Sequence, residues 1–347
     1  MLPLYRPTIR RADMDAVLRR LAEDSIGAGE LSREFSQSLA KYLDRRSGVS
    51  MRTIGSALQA ALAALNLAPG ARIGVSVLAH AAVARILRRA GFVPVPIDTQ
   101  RNLPVLPDPL NFDYQPLELS ALYVDARVGY VAELESLQQL KIPIIEDVSE
   151  GLGGNTGSVM AGSVGELTII GLEPEHIVTA GGGATVVTNS TRRVSALGAW
   201  TDPGEGEASL PDMNAAMGLT QMRQLERFVE RRRDIAARFL RVIQRGRHHT
   251  ALPGNDGETV FPAFPVLVES SPREVEHYAR THGVTAQRAF TDTVLAEIGA
   301  SQDGDVDVAA GFPNGLSLAG RMVLFPVYPT LGKTEQETIE RVLATLP

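Results

Sequence analysis

Three spots in this chain carry residues whose types and spacing could do chemistry. They are a histidine on a turn, an aspartate at the end of an apolar run, and a Gly-Ser pair heading an alanine-rich helix. The histidine is His176. It follows the apolar run 167–172 and the acidic turn Glu173-Pro174-Glu175, and it precedes a second β-rich run and the triple glycine Gly181-Gly182-Gly183. Both apolar runs read as buried strand, the glycines permit positive φ and close backbone approach, and 184–188 returns to strand. A side chain held on such a turn faces whatever pocket the strands line. Imidazole is also the side chain whose ordinary charge change falls near neutral pH. The aspartate is Asp147, just past the strand 142–145, and His80 stands just past the strand 73–78. Open parallel sheets bind ligands at the carboxyl ends of their strands, so both residues belong beside a ligand cleft, if there is one. Gly55-Ser56 leads into the helix 57–65. Free N–H groups and the helix dipole there favour an anion such as phosphate, although a serine N-cap accounts for the same pair.

These residues need a scaffold, and the pattern supplies one. From residue 72 strand and helix alternate: strand 73–78, helix 81–90, strand 93–97, strand 121–124, helix 131–140, strand 142–145. Such alternation predicts an α/β fold, a mostly parallel sheet covered by helices on both faces. Before it come an extended lead-in at 3–7, a helix at 12–21, a break at Gly27-Ala28-Gly29 and a helix at 31–43 with Phe35, Leu39 and Leu43 on one face. Residues 213–239 read as one long amphipathic helix with Met217, Met222, Leu225, Phe228 and Ile235 inward. On it, Arg231-Arg232-Arg233 read as a solvated face paired with Glu226, Glu230 and Asp234. The remainder, 260–347, carries strand, helix, strand and terminal-helix signals, and 202–207 and 254–257 read as mobile loops.

Composition narrows the chemistry. The chain has 347 residues, 44% of them apolar, and a net charge of −6, which points away from nucleic acid and from anionic membranes. It has no cysteine, so disulfides, thiolate metal sites and a cysteine nucleophile are excluded. No apolar signal segment opens it and no stretch approaches the ~20 apolar residues of a membrane span, so the expectation is a soluble cytoplasmic protein with no membrane partner. His248, His249, His277 and His282 fall in turn or helix-surface contexts without zinc-ligand spacing. Only three lysines exist, Lys41, Lys141 and Lys333, against 31 arginines, and all three read as solvated.

The stretch 165–189, GELTIIGLEPEHIVTAGGGATVVTN, resembles the lysine loop of the DegT/DnrJ/StrS sugar aminotransferases, and the resemblance extends over nearly the whole chain. It implies the aspartate aminotransferase fold (PLP-dependent transferase fold type I): a large domain over 1–235 with the N-terminal lead-in, and a smaller α+β domain over 236–347. In that family the loop's lysine holds pyridoxal phosphate (PLP) as a Schiff base. A gap-free match places His176 at the lysine position. The resemblance further implies that Asp147, in IIEDVSEGLGG, pairs with the pyridine nitrogen and that Gly55-Ser56 binds the phosphate. By the same match His80 stacks on the cofactor face, and Glu150 replaces a glutamine near the ring hydroxyl. Gly171 replaces a phosphate-binding serine, and Glu207 corresponds to an asparagine that reaches the phosphate from a second subunit of a homodimer.

Two functions fit these substitutions. A subgroup of the family carries histidine at the lysine position and uses non-covalent pyridoxamine phosphate (PMP) to dehydroxylate a keto-sugar nucleotide. On that reading His176 is the base. The alternative is a catalytically degenerate relative with a binding or scaffold role, which the weakened phosphate contacts favour. An ordinary aminotransferase is opposed by the lysine count. Any PMP or PLP bound is therefore expected to be non-covalent, beside a nucleotide-sugar ligand.

Overall fold

The computed structural model describes residues 1–201, 208–251, 257–300 and 308–347. In chain order the first strands are β1 (Ser47–Met51), β2 (Arg72–Ser76), β3 (Val93–Ile97), β4 (Ala121–Asp125) and β5 (Ile144–Asp147). A short hairpin follows, β6 (Asn155–Thr156) and β7 (Val159–Met160), then β8 (Leu167–Gly171) and β9 (Ala184–Thr188). The central sheet has the order β1-β9-β8-β5-β4-β2-β3. Strands β8, β5, β4, β2 and β3 run parallel, and β9 is antiparallel to both its neighbours. The strands are short and apolar because both faces are covered. On β8, Ile169 packs with Leu58, Ile73 and Val75 beneath the helix Ile54–Leu65, while Ile170 packs with Phe35 and Leu39 of the helix Glu30–Tyr42. Successive side chains thus serve opposite layers.

A second, antiparallel sheet has the order β10-β12-β11, from β10 (Phe264–Leu267), β11 (Gln287–Arg288) and β12 (Met322–Phe325). It is backed by the helices Leu225–Ile243, Pro272–Thr281 and Lys333–Ala344. Phe239 meets Phe264 edge-on at 5.6 Å between ring centres. The start of the chain crosses to this side: Leu2 pairs with Val284, its N–H donating to Gly283 O at 2.7 Å.

Four sequence expectations give way to tertiary contacts. The helix at 131–140 shrinks to Leu134–Gln138, since Val128 and Gly129 turn with positive φ and Ala132 O accepts a hydrogen bond from Thr156 of β6 at 3.2 Å. The long helix at 213–239 is two, Asp212–Met222 and Leu225–Ile243. It breaks at Gln224 (φ −115°, ψ 0°), whose side chain accepts from Arg10 at 2.7 Å. The arginine triplet is not a solvated face. Arg232 is buried and donates to the carbonyls of Phe261, Pro262 and Val327, while Arg233 binds Gly153 O and pairs with Glu258. Burial lowers the Arg232 pKa to about 10. His248 is buried, its Nδ1 accepting from Glu269 N–H at 3.1 Å. Of the loops read as mobile, 202–207 and 254–256 lie outside the described residues.

Candidate active site

Asp125 and Asp147 stand opposite each other at the carboxyl ends of the parallel neighbours β4 and β5. Tyr123, two residues before Asp125, shares its face. Its hydroxyl donates to Asp147 Oδ2 at 2.6 Å. Asp147 Oδ1 accepts from the Ser149 N–H at 2.9 Å and from the Ser149 hydroxyl. Ser149 Oγ in turn accepts the Gly171 N–H at 2.8 Å, which ties the end of β5 to the end of β8.

The loop between β8 and β9 carries His176. The run 177–180 is not a strand but a tight turn held on one carbonyl: Leu172 O accepts from Thr179 Oγ1, Ala180 N and Gly182 N, each at 3.0 Å. Gly181, Gly182 and Gly183 all have positive φ, which lets the chain reverse into β9. His176 folds back onto the strand end. A Cβ at Gly171 would lie 2.5 Å from His176 Cε1 and 2.6 Å from Ser149 Oγ. The imidazole therefore packs on bare backbone, and no serine side chain fits there without displacing it. His176 Nδ1 accepts the Glu173 N–H at 3.1 Å.

A cavity of about 630 Å³ opens above these strand ends. Its floor is Tyr123, Asp125, Asp147 and Ser149, and its sides include Glu173, Glu175 and His176 from the loop. Gly55 and His80 enter from two helix starts, and Tyr5 and Pro262 close the remaining side. Of the residues read from sequence, the fold brings Gly55, His80, Asp147, Glu150 and His176 to one cavity. Gly171 lies beneath His176. Ser56 is not among the cavity-lining residues: its N–H donates at 2.9 Å to Thr53, which is the N-cap of Ile54–Leu65 in place of a serine. His80 caps the helix Ala81–Arg89, with Nδ1 3.4 Å from the Asp292 carboxylate. Glu207 lies outside the described residues. Lys41, Lys141 and Lys333 are all exposed, and none is among the cavity-lining residues described.

The electrostatics of the wall are acidic. Glu150 is not free to face a ligand: Arg127 donates to Oε1 at 2.7 Å and Val128 N–H to Oε2 at 2.6 Å. Arg127 also lies over the Phe290 ring, 5.8 Å from its centre. Asp125 is raised to about 7, chiefly by burial; Arg127 opposes this and the Asp147 and Glu150 charges add to it. Burial, then the Asp147 charge, lifts the Tyr123 phenol well above its usual range, so it stays a donor. Sequence reasoning missed Tyr123, Asp125, Arg127 and Ser149. Asp125 ends β4 and the other three lie two residues from a strand end, which was the available signal. Among the described residues there is no cluster of three or more potential metal ligands, and no helix is long and apolar enough to cross a membrane.

Known proteins share this architecture. The chain is 22% identical to the spore coat polysaccharide biosynthesis protein SpsC of Bacillus subtilis, over 97% of this chain and 95% of that protein. It is also 22% identical to a UDP-4-amino-4,6-dideoxy-N-acetyl-beta-L-altrosamine transaminase of Campylobacter jejuni, over 77% of each chain. Among solved structures it resembles Helicobacter pylori PseC, an aminotransferase of pseudoaminic acid biosynthesis, with TM-score 0.90 at 17% identity, covering 99% of this chain and 98% of that one. It resembles the PMP form of Streptococcus pneumoniae Spr1654 with TM-score 0.88 at 16% identity, covering 99% and 96%. Residues 7–346 match the model of one family, and the chain belongs to it: the DegT/DnrJ/EryC1/StrS aminotransferase family.

Proposed function

We propose that this protein is a sugar-aminotransferase relative that works without a Schiff-base lysine, binding a PMP- or PLP-type ring non-covalently beside a nucleotide-sugar ligand. The observation that carries this reading is the placement of His176. It sits on the wall of the cavity that holds Asp147, linked to it through Gly171 and Ser149, while the three lysines are exposed elsewhere.

The ring end of the cavity suits the cofactor. Asp147 is buried, and its oxygens keep lone pairs beyond the three donors they hold, so it can also accept from a pyridinium N–H. A ring protonated there supplies an electron sink. The phosphate end is thinner. Gly171 has no hydroxyl and no room for one, Ser56 spends its N–H on Thr53, and Glu173 and Glu175 add like charge. Gly55 at the helix start remains.

The geometry also bears on what His176 does. Because Nδ1 accepts the Glu173 N–H, the neutral ring carries its proton on Nε2, the nitrogen left to meet a ligand. In that tautomer His176 donates a hydrogen bond and cannot take a proton at Nε2. This favours the binding reading over the dehydratase-like one, in which His176 is the base.

The test is titration of the purified protein with PMP and PLP by absorbance and calorimetry, followed by borohydride reduction and mass spectrometry. Saturable binding is expected, with no lysine adduct and at least about a tenfold loss of affinity in Asp147→Ala, the scale of a charged hydrogen bond. A reduced lysine adduct, or no binding of either cofactor, overturns the reading. Exchange of the PMP methylene protons in D₂O decides the role of His176. No catalysed exchange is expected; exchange that disappears in His176→Ala establishes the base role instead.

A further inference from the structure

Asp125 is the acid of the cavity floor on which the fold leaves a buried oxygen without a hydrogen-bond partner. Asp147 holds Tyr123 and Ser149, and Glu150 holds Arg127 and Val128. Asp125 is 7% exposed, lines the same cavity, and its Oδ1 is buried with no hydrogen-bond partner. The residues on either side of it do not pair with it: the Tyr123 hydroxyl is committed to Asp147, and Arg127, whose charge acts on Asp125, gives an N–H to Glu150 and keeps its buried Nε without a hydrogen-bond partner. From β5 and the turn after it, only the like charges of Asp147 and Glu150 face it. The other ionisable groups on the wall are Tyr5, His80, Glu173, Glu175 and His176. Buried polar groups left unpaired are costly, and those retained at a cavity wall mark where a ligand completes the set.

We propose that Asp125 anchors a protonated amine, so that this cavity selects ligands carrying an ammonium group over otherwise identical ligands carrying a hydroxyl. The charge on the wall decides between ligand classes. Among the described residues, five carboxyl groups line the cavity against one arginine, which already forms an ion pair with Glu150. An ammonium ion is attracted by all five, whereas a neutral carbonyl or hydroxyl gains one hydrogen bond from a protonated Asp125. Binding of the amine requires Asp125 to ionise, so the proton it holds in the free protein is released on binding.

The proposal rests on the cavity binding a PMP-type ring, and the test separates the two. Pyridoxamine and pyridoxine share a ring and differ in one CH₂NH₃⁺ against one CH₂OH. Their affinities are measured by calorimetry at pH 6 and pH 7.5. With Asp125 at about 7 in the free protein, ionised Asp125 rises about eightfold over that interval, and pyridoxamine affinity should rise with it. Pyridoxine affinity should be flat or fall. In Asp125→Asn the preference for the amine and its pH slope should both disappear. The wild-type comparison stands even if that variant does not fold. Equal, pH-independent affinities for the two probes overturn the amine anchor while leaving ring binding intact. Failure of both probes together with PMP and PLP overturns the underlying reading and this one with it.

Discussion

A methyl group added at Gly171 would meet His176 Cε1 at 2.5 Å and Ser149 Oγ at 2.6 Å, so the imidazole seat and a serine side chain at position 171 exclude each other. Gly171→Ser should therefore destabilise the protein by about 1–3 kcal/mol, the usual penalty of overpacking. It should also release the His176 ring, seen as a lower melting temperature and a moved imidazole NMR signal. An unchanged melt and an unmoved signal would show that the seat is loose. Asp125 gives a second prediction. Its folded-state value of about 7 lies above the ordinary 3.8, so between those values the folded chain binds a proton that the unfolded chain has lost. That stabilisation is complete below about pH 4 and is lost as pH rises through 7. Melting of wild type minus Asp125→Asn, followed from pH 5 to pH 8, should decline with pH. A rising difference would contradict the burial that sets the shift. His176 and Asp147 were legible in the sequence because a turn between apolar runs and a strand end fix where a side chain points. Tyr123 and Ser149 were not. Tyr123 reaches Asp147 only when β4 and β5 align, and Ser149 joins Asp147 to Gly171 only when β5 and β8 do, and nothing within one strand announces its neighbour.

At the scale of elements, β2, β3, β4, β5, β8 and β9 were legible to within two residues, because a doubly covered strand reads as an apolar run, whereas β1, Ser-Gly-Val-Ser-Met, has no such run and the β-rich run 177–180 is a turn. The arginine triplet shows where that reading fails. A helical face with acids at i±4 reads as solvated, yet Arg232 is buried under the segment 261–262 and the end of β12. It supplies donors to three carbonyls that no neighbouring strand pairs, a need created by distant loops and invisible locally. Arg232→Leu leaves those carbonyls unsatisfied in an apolar site and should cost about 2–4 kcal/mol in urea unfolding. Because Pro262 is part of the cavity wall, the same variant should weaken PMP binding. A loss of stability with affinity unchanged would place the Arg232 contacts outside the ligand's support.

At the scale of the whole molecule, the cavity is assembled from parts far apart in sequence: the sheet ends, the β8–β9 loop, Pro262, and Tyr5 on the N-terminal arm. The arm is held just ahead of Tyr5. Leu2 pairs with Val284, and Leu4 is buried in the core. Tyr5 itself is 37% exposed, so its ring contributes more to the cavity wall than to the core. Two variants separate these roles. Tyr5→Ala leaves Leu2 and Leu4 in place, so the melting temperature should stay near wild type while PMP affinity falls several-fold. Deleting residues 1–6 removes Leu4 as well, and its burial contributes roughly 2 kcal/mol. That truncation should lower the melting temperature and affinity together. Ligand binding stabilises a fold only through its affinity for the native state, so PMP should raise the melting temperature less in both variants than in wild type at equal concentration. Wild-type affinity in Tyr5→Ala would show that the arm covers the cavity without touching its ligand.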